Sequence, residues 1–356
     1  MVHGTVALLG YGRFGRALGQ LLADAGVPHR ALDERVAVPA EYRAETLADL
    51  VGGAEFVVVA VPVAVMPEAL RELRPHLHPS QVVLDVGSVK VRPAAALHEA
   101  LGTAIPWCGT HPLFGPLSLA LAERPLRVVV CPAAEHPAAA ARVRALYERI
   151  GCEVIEQTPE GHDRVMAHTH ALTFFIAKGM IDAGAGMEVP FAPPSFQAIS
   201  RTIETVRSDA GHLFAAIARD NPFAAEARKE LVQALAAIDR ALDAEAAAGD
   251  RSPPDAATFA IPDLGQRSPE LKQTRDHMDA IDQEIVRLLA QRMQLSSRAA
   301  KAKAALGAPV LDAAREADMM AARRAWADAS KIDPEGVADV FRAIVTMSRR
   351  GQVQRG

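Results

Sequence analysis

The chain has 356 residues, of which 50% are hydrophobic and 23% charged, with a formal net charge of -4 at pH 7. This length predicts two or three domains, and the composition excludes a disordered chain. Because the charges nearly balance, nothing favours binding to nucleic acid or to an anionic membrane. We therefore expect the partners to be small molecules and copies of the chain itself.

The apolar runs and the cysteines indicate the cellular compartment. The longest apolar run, residues 56–66, is far shorter than the roughly 20 residues that span a bilayer. The three cysteines, Cys108, Cys131 and Cys152, form no CxxC pair, which is typical of a reducing compartment without structural zinc. We expect a cytoplasmic protein with free thiols, no bound metal and no membrane association.

Residues 1–158 alternate short β-branched runs with helical stretches. This alternation predicts an α/β domain of the Rossmann type, with a parallel sheet and crossover helices. The predicted strands include 6–9, 56–61, 82–86, 126–130 and 153–155.

Helical patterns replace the strands after this domain. Residues 159–248 are rich in Ala and Leu at helical spacing and predict an all-α domain. Residues 249–269 have the Pro, Asp, Ser and Gly composition of a linker. Residues 270–356 predict a C-terminal all-α domain of three helices, the last beginning at Asp333 and Pro334.

A glycine-rich loop follows the first predicted strand and opens a helix. In this position the glycines permit a tight turn, close approach of a pyrophosphate and packing of the helix on the strand. Asp33, at the end of the second strand, would bind ribose hydroxyls and favours NAD over NADP, although Arg35 leaves a 2′-phosphate possible. The predicted cofactor-binding residues are Gly10, Tyr11, Gly12, Arg13, Phe14, Gly15 and Asp33.

Two polar segments follow later strands of the predicted sheet. Ser88 lies in Gly87-Ser88-Val89-Lys90, and His111 lies in a segment flanked by glycines and prolines that predicts a loop. Since parallel sheets bind ligands at the carboxyl ends of their strands, Ser88 and His111 would face the nicotinamide end of the cofactor.

These segments, together with residues 161–166 and 170–172, resemble the prephenate dehydrogenase family over residues 4–245. The resemblance rests on the strings GSVK at 87–90 and GTHPLFGP at 109–116. It implies the oxidative decarboxylation of prephenate to 4-hydroxyphenylpyruvate with NAD. His111 would be the base at the C4 hydroxyl, and Ser88 would hydrogen-bond that histidine.

The resemblance also implies an arginine that holds a substrate carboxylate. Arg201 and Arg207 both fall in the expected stretch, and we favour Arg201 slightly. His170 would lie near the substrate side chain, or be an ordinary helix histidine. A metal site from histidines 162, 168 and 170 is not expected, because helical residues two apart point in nearly opposite directions.

The first C-terminal helix carries an apolar stripe that includes Met278, Ile281 and Ile285. Arg292 and Lys303 interrupt this stripe on its own face, so two cations would point inward. Burying unpaired charge is costly unless an anion completes the site, which predicts an anionic ligand. The alternative is a solvated helical bundle with surface salt bridges.

Residues 270–352 resemble the all-helical chorismate mutase family. The resemblance implies rearrangement of chorismate to prephenate without a nucleophile or proton transfer. Lys303 and Gln352 would face the ether oxygen, and Glu316, aided by Asp312, would bind the ring hydroxyl. The matching residues are Arg275, Arg292, Lys303, Asp312, Arg315, Glu316, Ser348 and Gln352.

Arg275 predicts a homodimer. It lies 17 residues before Arg292, about 25 Å along one helix and about 100° around it, so the two cannot reach one ligand together. Arg275 would therefore serve the site of a second copy, as the intertwined dimers of the mutase family imply.

Three other assignments are compatible with the sequence. One is a 4-amino-4-deoxychorismate mutase joined to a 4-amino-4-deoxyprephenate dehydrogenase, and another is a dehydrogenase for arogenate. A third makes the C-terminal helices a sensing or dimerisation module without catalysis. No separate regulatory domain fits between residues 248 and 270, so feedback by tyrosine would act near the dehydrogenase site.

Overall fold

The computed structural model describes residues 4–120, 125–185, 193–209, 212–248, 270–305 and 313–353. The chain divides into two units, one of residues 1–116 and 125–261 and one of residues 117–124 and 262–356. The predicted Rossmann and helical domains thus lie in one compact unit, and their boundary at 158/159 stays a prediction. The predicted linker, 249–269, lies outside the described residues.

The first unit is built on a seven-stranded sheet in the order β2-β1-β3-β4-β5-β6-β7. All neighbouring strands are parallel except β5 and β6, which are antiparallel. The strands are β1 Thr5–Leu9, β2 His29–Leu32, β3 Ala54–Val59, β4 Val82–Asp85, β5 Trp107–Pro112, β6 Leu126–Pro132 and β7 Cys152–Glu156.

Strand β5 corrects the sequence analysis, which predicted a loop around His111. The strand runs Trp-Cys-Gly-Thr-His-Pro and is buried along its whole length. Its Gly, His and Pro residues hide the strand pattern, because these types are depleted or neutral in sheets. Pairing with β6 places His111 opposite Val129 and holds the histidine on a rigid element.

Helices of the first unit cover its sheet. The first six helices of the chain are α1 Arg13–Asp24, α2 Leu47–Val51, α3 Met66–Leu73, α4 Val91–Leu101, α5 Pro116–Ala120 and α6 Pro137–Arg149, of which α5 belongs to the second unit after Pro116. Apolar strands such as β3, with Val57, Val58 and Val59 almost fully buried, pack under α3 and α4. A sheet buried on both faces explains these continuous apolar runs.

The helical part of the first unit comprises α7 Pro159–Met166, α8 Leu172–Asp182, α9 Pro194–Asp209, α10 His212–Asp220 and α11 Ala224–Ala248. Its small core includes Phe174, Ile217 and Ala227. A single π-helical turn, Ala167–Ala171, joins α7 to α8. Such turns shift the side-chain register locally and are frequent at functional sites.

The described part of the second unit contains three long helices, α12 Glu270–Ala305, α13 Ala313–Ala329 and α14 Pro334–Val353. Asp333 caps α14, because its carboxylate accepts hydrogen bonds from the backbone nitrogens of Glu335 (3.1 Å) and Gly336 (3.0 Å). The predicted start of this helix is therefore confirmed.

The apolar stripe of α12 is exposed within the single chain. Its large apolar members are between 41% and 60% exposed, although chains usually bury such contiguous stripes. We call the following residues the α12 stripe: Met278, Ile281, Ile285, Leu288 and Leu295. None of the described helices has both the length and the apolar character needed to cross a bilayer.

Candidate functional sites

The phosphate loop between β1 and α1 has the geometry of an anion cradle. Gly10 has φ +103°, and a Cβ there would lie 2.5 Å from the carbonyl oxygen of Ala60. A Cβ on Gly15 would lie 2.3 Å from the carbonyl oxygen of Gly10. A Cβ on Gly12 would meet no atom within 4 Å, so the loop is open where α1 begins and a phosphate can approach.

Asp33 ties the end of β2 to this loop. One carboxylate oxygen accepts a hydrogen bond from the backbone nitrogen of Tyr11 (2.6 Å). The other accepts from the backbone nitrogens of Arg35 (2.8 Å) and Val36 (2.9 Å). The carboxylate is thus fixed beside the loop, where the lone pairs it retains can accept ribose hydroxyls.

An aromatic contact joins the phosphate loop to the segment that contains His111. Phe14, beside Arg13 at the start of α1, has its ring centroid 6.1 Å from that of Phe114. Phe114 belongs to the GTHPLFGP string that contains His111. The cofactor loop and the histidine segment therefore lie close together at one edge of the sheet, as predicted.

A buried ion pair lies behind the predicted catalytic segment. Lys90 is fully buried, and its Nζ donates to the carboxylate of Asp85 and to the carbonyl oxygen of Thr110. Asp85 also accepts from the backbone nitrogens of Gly87 (2.9 Å) and Thr110 (3.2 Å). This network fixes the turn that carries Ser88.

His111 is buried and hydrogen-bonded to a second histidine. Its Nδ1 lies 2.8 Å from Nε2 of His162, and both rings are almost completely buried. Within the described part of the chain, no hydrogen bond joins Ser88 to His111. The hydrogen bond that the structure gives His111 is to His162, which the sequence analysis placed in the 161–166 segment without assigning it a role; the contact with Ser88 stays a prediction.

Asp163 completes a chain of three side chains. His162 Nδ1 lies 2.7 Å from a carboxylate oxygen of Asp163. That carboxylate also accepts from the backbone nitrogens of Lys90 (2.7 Å) and Val91 (2.9 Å), at the start of α4. Asn221 donates to the carbonyl oxygen of Asp163 (2.7 Å). The carboxylate is thus locked between α4 and α7.

This chain fixes the tautomer of His111. A carboxylate only accepts, so a neutral His162 donates its Nδ1 proton to Asp163 and can only accept at Nε2. His111 must then carry its proton on Nδ1. Its Nε2 is left with a free lone pair, which is the state a general base requires.

The surroundings of His111 keep it neutral. Burial is the largest cause that holds the pKa of His111 well below its usual value, followed by His162, Lys90 and His170. A buried imidazole near a cation resists protonation. His111 is therefore unprotonated at neutral pH.

His170 lies on the π-helical turn beside His111. Its ring is nearly parallel to that of His111, with centroids 6.2 Å apart, and packs edge-on against Phe174 at 5.2 Å. The prediction that His170 lies near the reacting centre is compatible with this placement. Arg201 and Arg207 lie on α9, but their side chains are outside what the structure describes.

The second unit brings together part of the predicted mutase set. Arg292 on α12 donates from Nη1 to Ser348 Oγ on α14 (2.8 Å). Glu316 on α13 forms an ion pair with Arg349. Lys303 is half-buried and Arg315 exposed. Asp312 lies outside the described residues, as do the side chains of Arg275 and Gln352.

Burial lowers the pKa of the Arg292 guanidinium, and the positive charge of Arg323 lowers it further. A half-buried cation that forms no ion pair with a described carboxylate is a favourable place for an anionic group. Among the described residues, no group of three or more His, Cys, Asp or Glu side chains is arranged to hold a metal ion.

Sequence reasoning missed three groups of the first site. Lys90 and Asp163 are charged and fully buried, and His162 links Asp163 to His111. Adjacent His and Asp residues just after the helix start at Pro159 are the only sequence signal for this pair. Their partner lies 51 residues away, so spacing alone does not predict the contact.

Two family models match the chain. Residues 25–156 match the family described as prephenate dehydrogenase, nucleotide-binding domain, and residues 274–353 match chorismate mutase type II. Both family resemblances inferred from the sequence are confirmed by these matches.

Two curated relatives and one solved structure illustrate the similarity. The chain is 28% identical over 179 residues to the probable arogenate/prephenate dehydrogenase of Methanocaldococcus jannaschii, covering 47% of this chain and 39% of that protein. It is 29% identical over 257 residues to the 4-amino-4-deoxyprephenate dehydrogenase of Streptomyces pristinaespiralis, covering 67% of this chain and 84% of that protein. The chain thus spans about two fifths of the length of the first relative.

The solved structure bears on the fold. Prephenate dehydrogenase from A. aeolicus, in complex with hydroxyphenyl propionate and NAD+, superimposes with a TM-score of 0.57 at 19% identity. The match covers 80% of this chain and 99% of that chain. The predicted fold class, a Rossmann-type sheet domain followed by helical domains, is confirmed.

Proposed function

We propose that the protein is a bifunctional enzyme of tyrosine biosynthesis. The premise is that one chain matches both the prephenate dehydrogenase nucleotide-binding domain and chorismate mutase type II. The C-terminal domain rearranges chorismate to prephenate. The N-terminal domains oxidise and decarboxylate prephenate to 4-hydroxyphenylpyruvate. The observation that carries the dehydrogenase assignment is the buried, neutral His111 at the edge of the sheet next to the phosphate loop.

The loop geometry fits NAD as the cofactor. Gly12 leaves open the space that a side chain would fill, and the pyrophosphate would lie there against the start of α1. The fixed Asp33 carboxylate would accept the adenosine ribose hydroxyls and repel a 2′-phosphate. NAD, when bound, supplies the hydride acceptor.

His111 would take the proton of the C4 hydroxyl. As the C4 hydrogen of prephenate leaves as a hydride, Nε2 of His111 accepts the hydroxyl proton and a C4 carbonyl forms. Loss of carbon dioxide then returns its electron pair to the ring, and the C4 oxygen regains a proton. The His162 and Asp163 chain stabilises the imidazolium while it holds that proton.

The remaining side chains at this site would bind the substrate. Ser88 follows β4 at the same edge of the sheet, and His170 lies beside the base. Arg201 or Arg207 would hold a carboxylate of prephenate through a bidentate guanidinium, which fixes both its charge and its orientation.

The mutase site would act by electrostatics alone. Arg292 and Ser348, already joined across α12 and α14, would bind one carboxylate of chorismate. Lys303 and Gln352 would stabilise the charge that develops on the ether oxygen. Glu316, with Asp312, would bind the ring hydroxyl, and Arg315 would complete the cationic wall.

A cytoplasmic homodimer is part of the proposal. The exposed α12 stripe supports the dimer, because a second copy would bury it, and each apolar side chain contributes roughly 1.5–3 kcal/mol on full burial. Arg275, on the first turns of the same helix, would then enter the site of the partner. Cys108, Cys131 and Cys152 form no disulfide, which suits a reducing cytoplasm.

A coupled assay tests the whole proposal. Purified protein given chorismate and NAD should produce NADH, and prephenate with NAD should do so without the mutase step. His111→Asn should remove NADH formation from both while prephenate still accumulates from chorismate, and Lys303→Ala should block only the reaction that starts from chorismate.

Other substrates in the same assay test the assignment of the ring acid. Arogenate and the 4-amino-4-deoxy compounds should turn over more slowly than prephenate and chorismate. Faster turnover of the amino compounds would contradict the assignment to tyrosine biosynthesis.

A further inference from the structure

Lys90 is a buried cation to which the proposed reaction gives no role. It is fully buried, and its Nζ donates to the carboxylate of Asp85 and to the carbonyl oxygen of Thr110. Burying an ion pair costs so much desolvation that replacing one by apolar side chains is often neutral or stabilising. The stability of the fold alone therefore does not explain a lysine at this position, and its contacts indicate a further role.

The ion pair continues the sheet where two strands separate. The ladder between β4 and β5 ends at the pair of residues that precedes Asp85. Beyond it, the carboxylate of Asp85 accepts from the backbone nitrogen of Thr110 (3.2 Å), and Lys90 donates to the carbonyl oxygen of the same residue (2.5 Å). Both backbone polar groups of Thr110 thus have partners. The two charged side chains hold the residue before His111 as a neighbouring strand would.

The backbone of Lys90 supports the imidazole of His111 as well. Its amide nitrogen donates to one carboxylate oxygen of Asp163 (2.7 Å), and the same oxygen lies 2.7 Å from Nδ1 of His162. Nε2 of His162 in turn lies 2.8 Å from Nδ1 of His111. Lys90 therefore supports His111 at two points, the preceding peptide through Nζ and the imidazole through this chain of side chains.

The charge of Lys90 acts on His111 in the same direction as burial. Burial is the largest cause that lowers the pKa of His111, and the charges of neighbouring groups lower it further. Since a nearby cation disfavours the imidazolium, Lys90 helps to keep the lone pair of His111 free. The titratable groups that act on His111 are His162 on α7, Lys90 before α4 and His170 on the π-helical turn.

We propose that Lys90 is a positioning residue of the dehydrogenase site, which fixes both the backbone and the ring of His111 against the hydroxyl that His111 deprotonates. This inference rests on the proposed dehydrogenase function. Without the Nζ contact, the carbonyl oxygen of Thr110 loses its donor and this part of β5 is free to shift. A small shift of the reacting group lowers the rate of proton transfer without changing the phosphate loop that binds NAD.

Dehydrogenase kinetics of the full chain test this role. Lys90→Met should lower kcat for NADH formation from prephenate about tenfold or more, because a misplaced base transfers the proton less often. KM for NAD should stay within about twofold of the wild-type value, because the lost contacts lie on other elements than the loop. The decline of kcat/KM at low pH should move to higher pH, since removing the cation raises the pKa of His111.

A double variant keeps the test valid if the single variant folds poorly. Lys90→Met leaves the carboxylate of Asp85 buried without its partner, which is strongly destabilising. Combining it with Asp85→Asn removes that charge, so the double variant should unfold at a higher temperature than Lys90→Met. It should still lose kcat, because the carbonyl oxygen of Thr110 lacks the Nζ donor.

Gln81→Met is the matched control. Gln81 is buried just before β4, and its side-chain amide donates to two backbone carbonyl oxygens, at 2.8 and 3.0 Å. Replacing it removes buried hydrogen bonds at the other end of the strand that Asp85 ends. The variant should lose stability but retain the kcat and the pH profile of the wild type.

A titration of the histidine rings separates this inference from the proposed function. The ¹⁵N chemical shifts of His111 report its protonation without any substrate, and their midpoint should lie at higher pH in Lys90→Met than in the wild type or Gln81→Met. A wild type that forms no NADH from prephenate would overturn the proposed function, and the titration would still decide whether Lys90 acts on His111. If both Lys90 variants have the kcat of Gln81→Met and Lys90→Met has the wild-type titration of His111, the inference is wrong and Lys90 has a structural role alone.

Discussion

The chain from Asp163 through His162 to His111 gives a sharp prediction for Asp163→Asn. Asparagine nearly preserves the shape of the side chain, and with its carbonyl oxygen in the place of Oδ2 it can still accept from the backbone nitrogen of Val91. Its amide group would then face Nδ1 of His162 and donate a hydrogen bond to it. His162 would become a donor at Nε2, and His111 would be forced to accept at Nδ1 and carry its proton on Nε2. The base would hold a proton where it needs a lone pair.

The expected loss of rate follows from what a general base contributes to catalysis. Proton transfer to a positioned side chain is worth about 10²- to 10⁴-fold in rate, or about 3–5 kcal/mol at 1.36 kcal/mol per tenfold. We expect Asp163→Asn to lower kcat for NADH formation from prephenate by this factor. The affinity for NAD should be unchanged, because the phosphate loop lies on other elements.

Two further variants separate the relay from folding. Asp163 also caps α4, so its replacement should cost about 1 kcal/mol of stability. Thr158→Ala removes the cap of α7, where Thr158 Oγ1 accepts from the backbone nitrogen of Gly161 at 3.0 Å, and should cost a similar amount while kcat is retained. His162→Gln keeps an acceptor for His111 and should lose less rate than His162→Leu.

The readouts are steady-state NADH formation across pH and ¹⁵N chemical shifts of the histidine rings. In the wild type, the shifts should place the proton of His111 on Nδ1. A kcat for Asp163→Asn within tenfold of that for Thr158→Ala would refute the reasoning.

Three other outcomes follow from the same geometry. Since the pKa of His111 is held well below 6.5, kcat/KM for prephenate should stay level as the pH falls from 8 to 6.5 and should decline only at lower pH. A decline in kcat/KM centred at or above pH 6.5 would contradict this. Gly12→Ala should fold normally and bind NAD at least tenfold more weakly. Gly15→Ala should also lower the unfolding temperature, because its Cβ would meet the carbonyl oxygen of Gly10. Thermal melts and NAD titration of both variants check this. Ile285→Lys in the α12 stripe should convert the protein to monomers, as light scattering would show. Mutase activity should fall at the same time, because the site would lose Arg275 of the second copy. A monomer with full mutase activity would exclude action in trans.

The sequence predicted the fold where local pattern and burial agree. The apolar run of β3 and the glycine loop after β1 each signal their structure within a few residues. Strand β5 was missed because Gly109, His111 and Pro112 obscure its pattern. It is a strand because β4 and β6 pair with it on either side, which is information that no local window contains.

The candidate site was predictable in its parts but not in its connections. His111 was found from its motif and from its expected position at the sheet edge. Its hydrogen-bonding partner was not, because His162 is brought to it by the packing of α7 against the start of α4, through the carboxylate of Asp163.

The two candidate sites differ in whether their charged side chains are paired within the protein, and the difference follows from the chemistry proposed for each. In the first unit, Lys90 is matched by Asp85, and Asp163 orients His162, so His111 is held neutral and oriented before any substrate arrives. A proton acceptor needs this, because its function depends on one lone pair at one atom. In the second unit, Arg292 donates to Ser348 and forms no ion pair with a described carboxylate, so the proposed site would gain its counter-charge only when a dianion binds. A rearrangement without proton transfer needs fixed positive charge rather than a tuned base. The dehydrogenase rate should therefore respond chiefly to pH, and the mutase rate chiefly to ionic strength, which screens the attraction between the arginines and the incoming carboxylates.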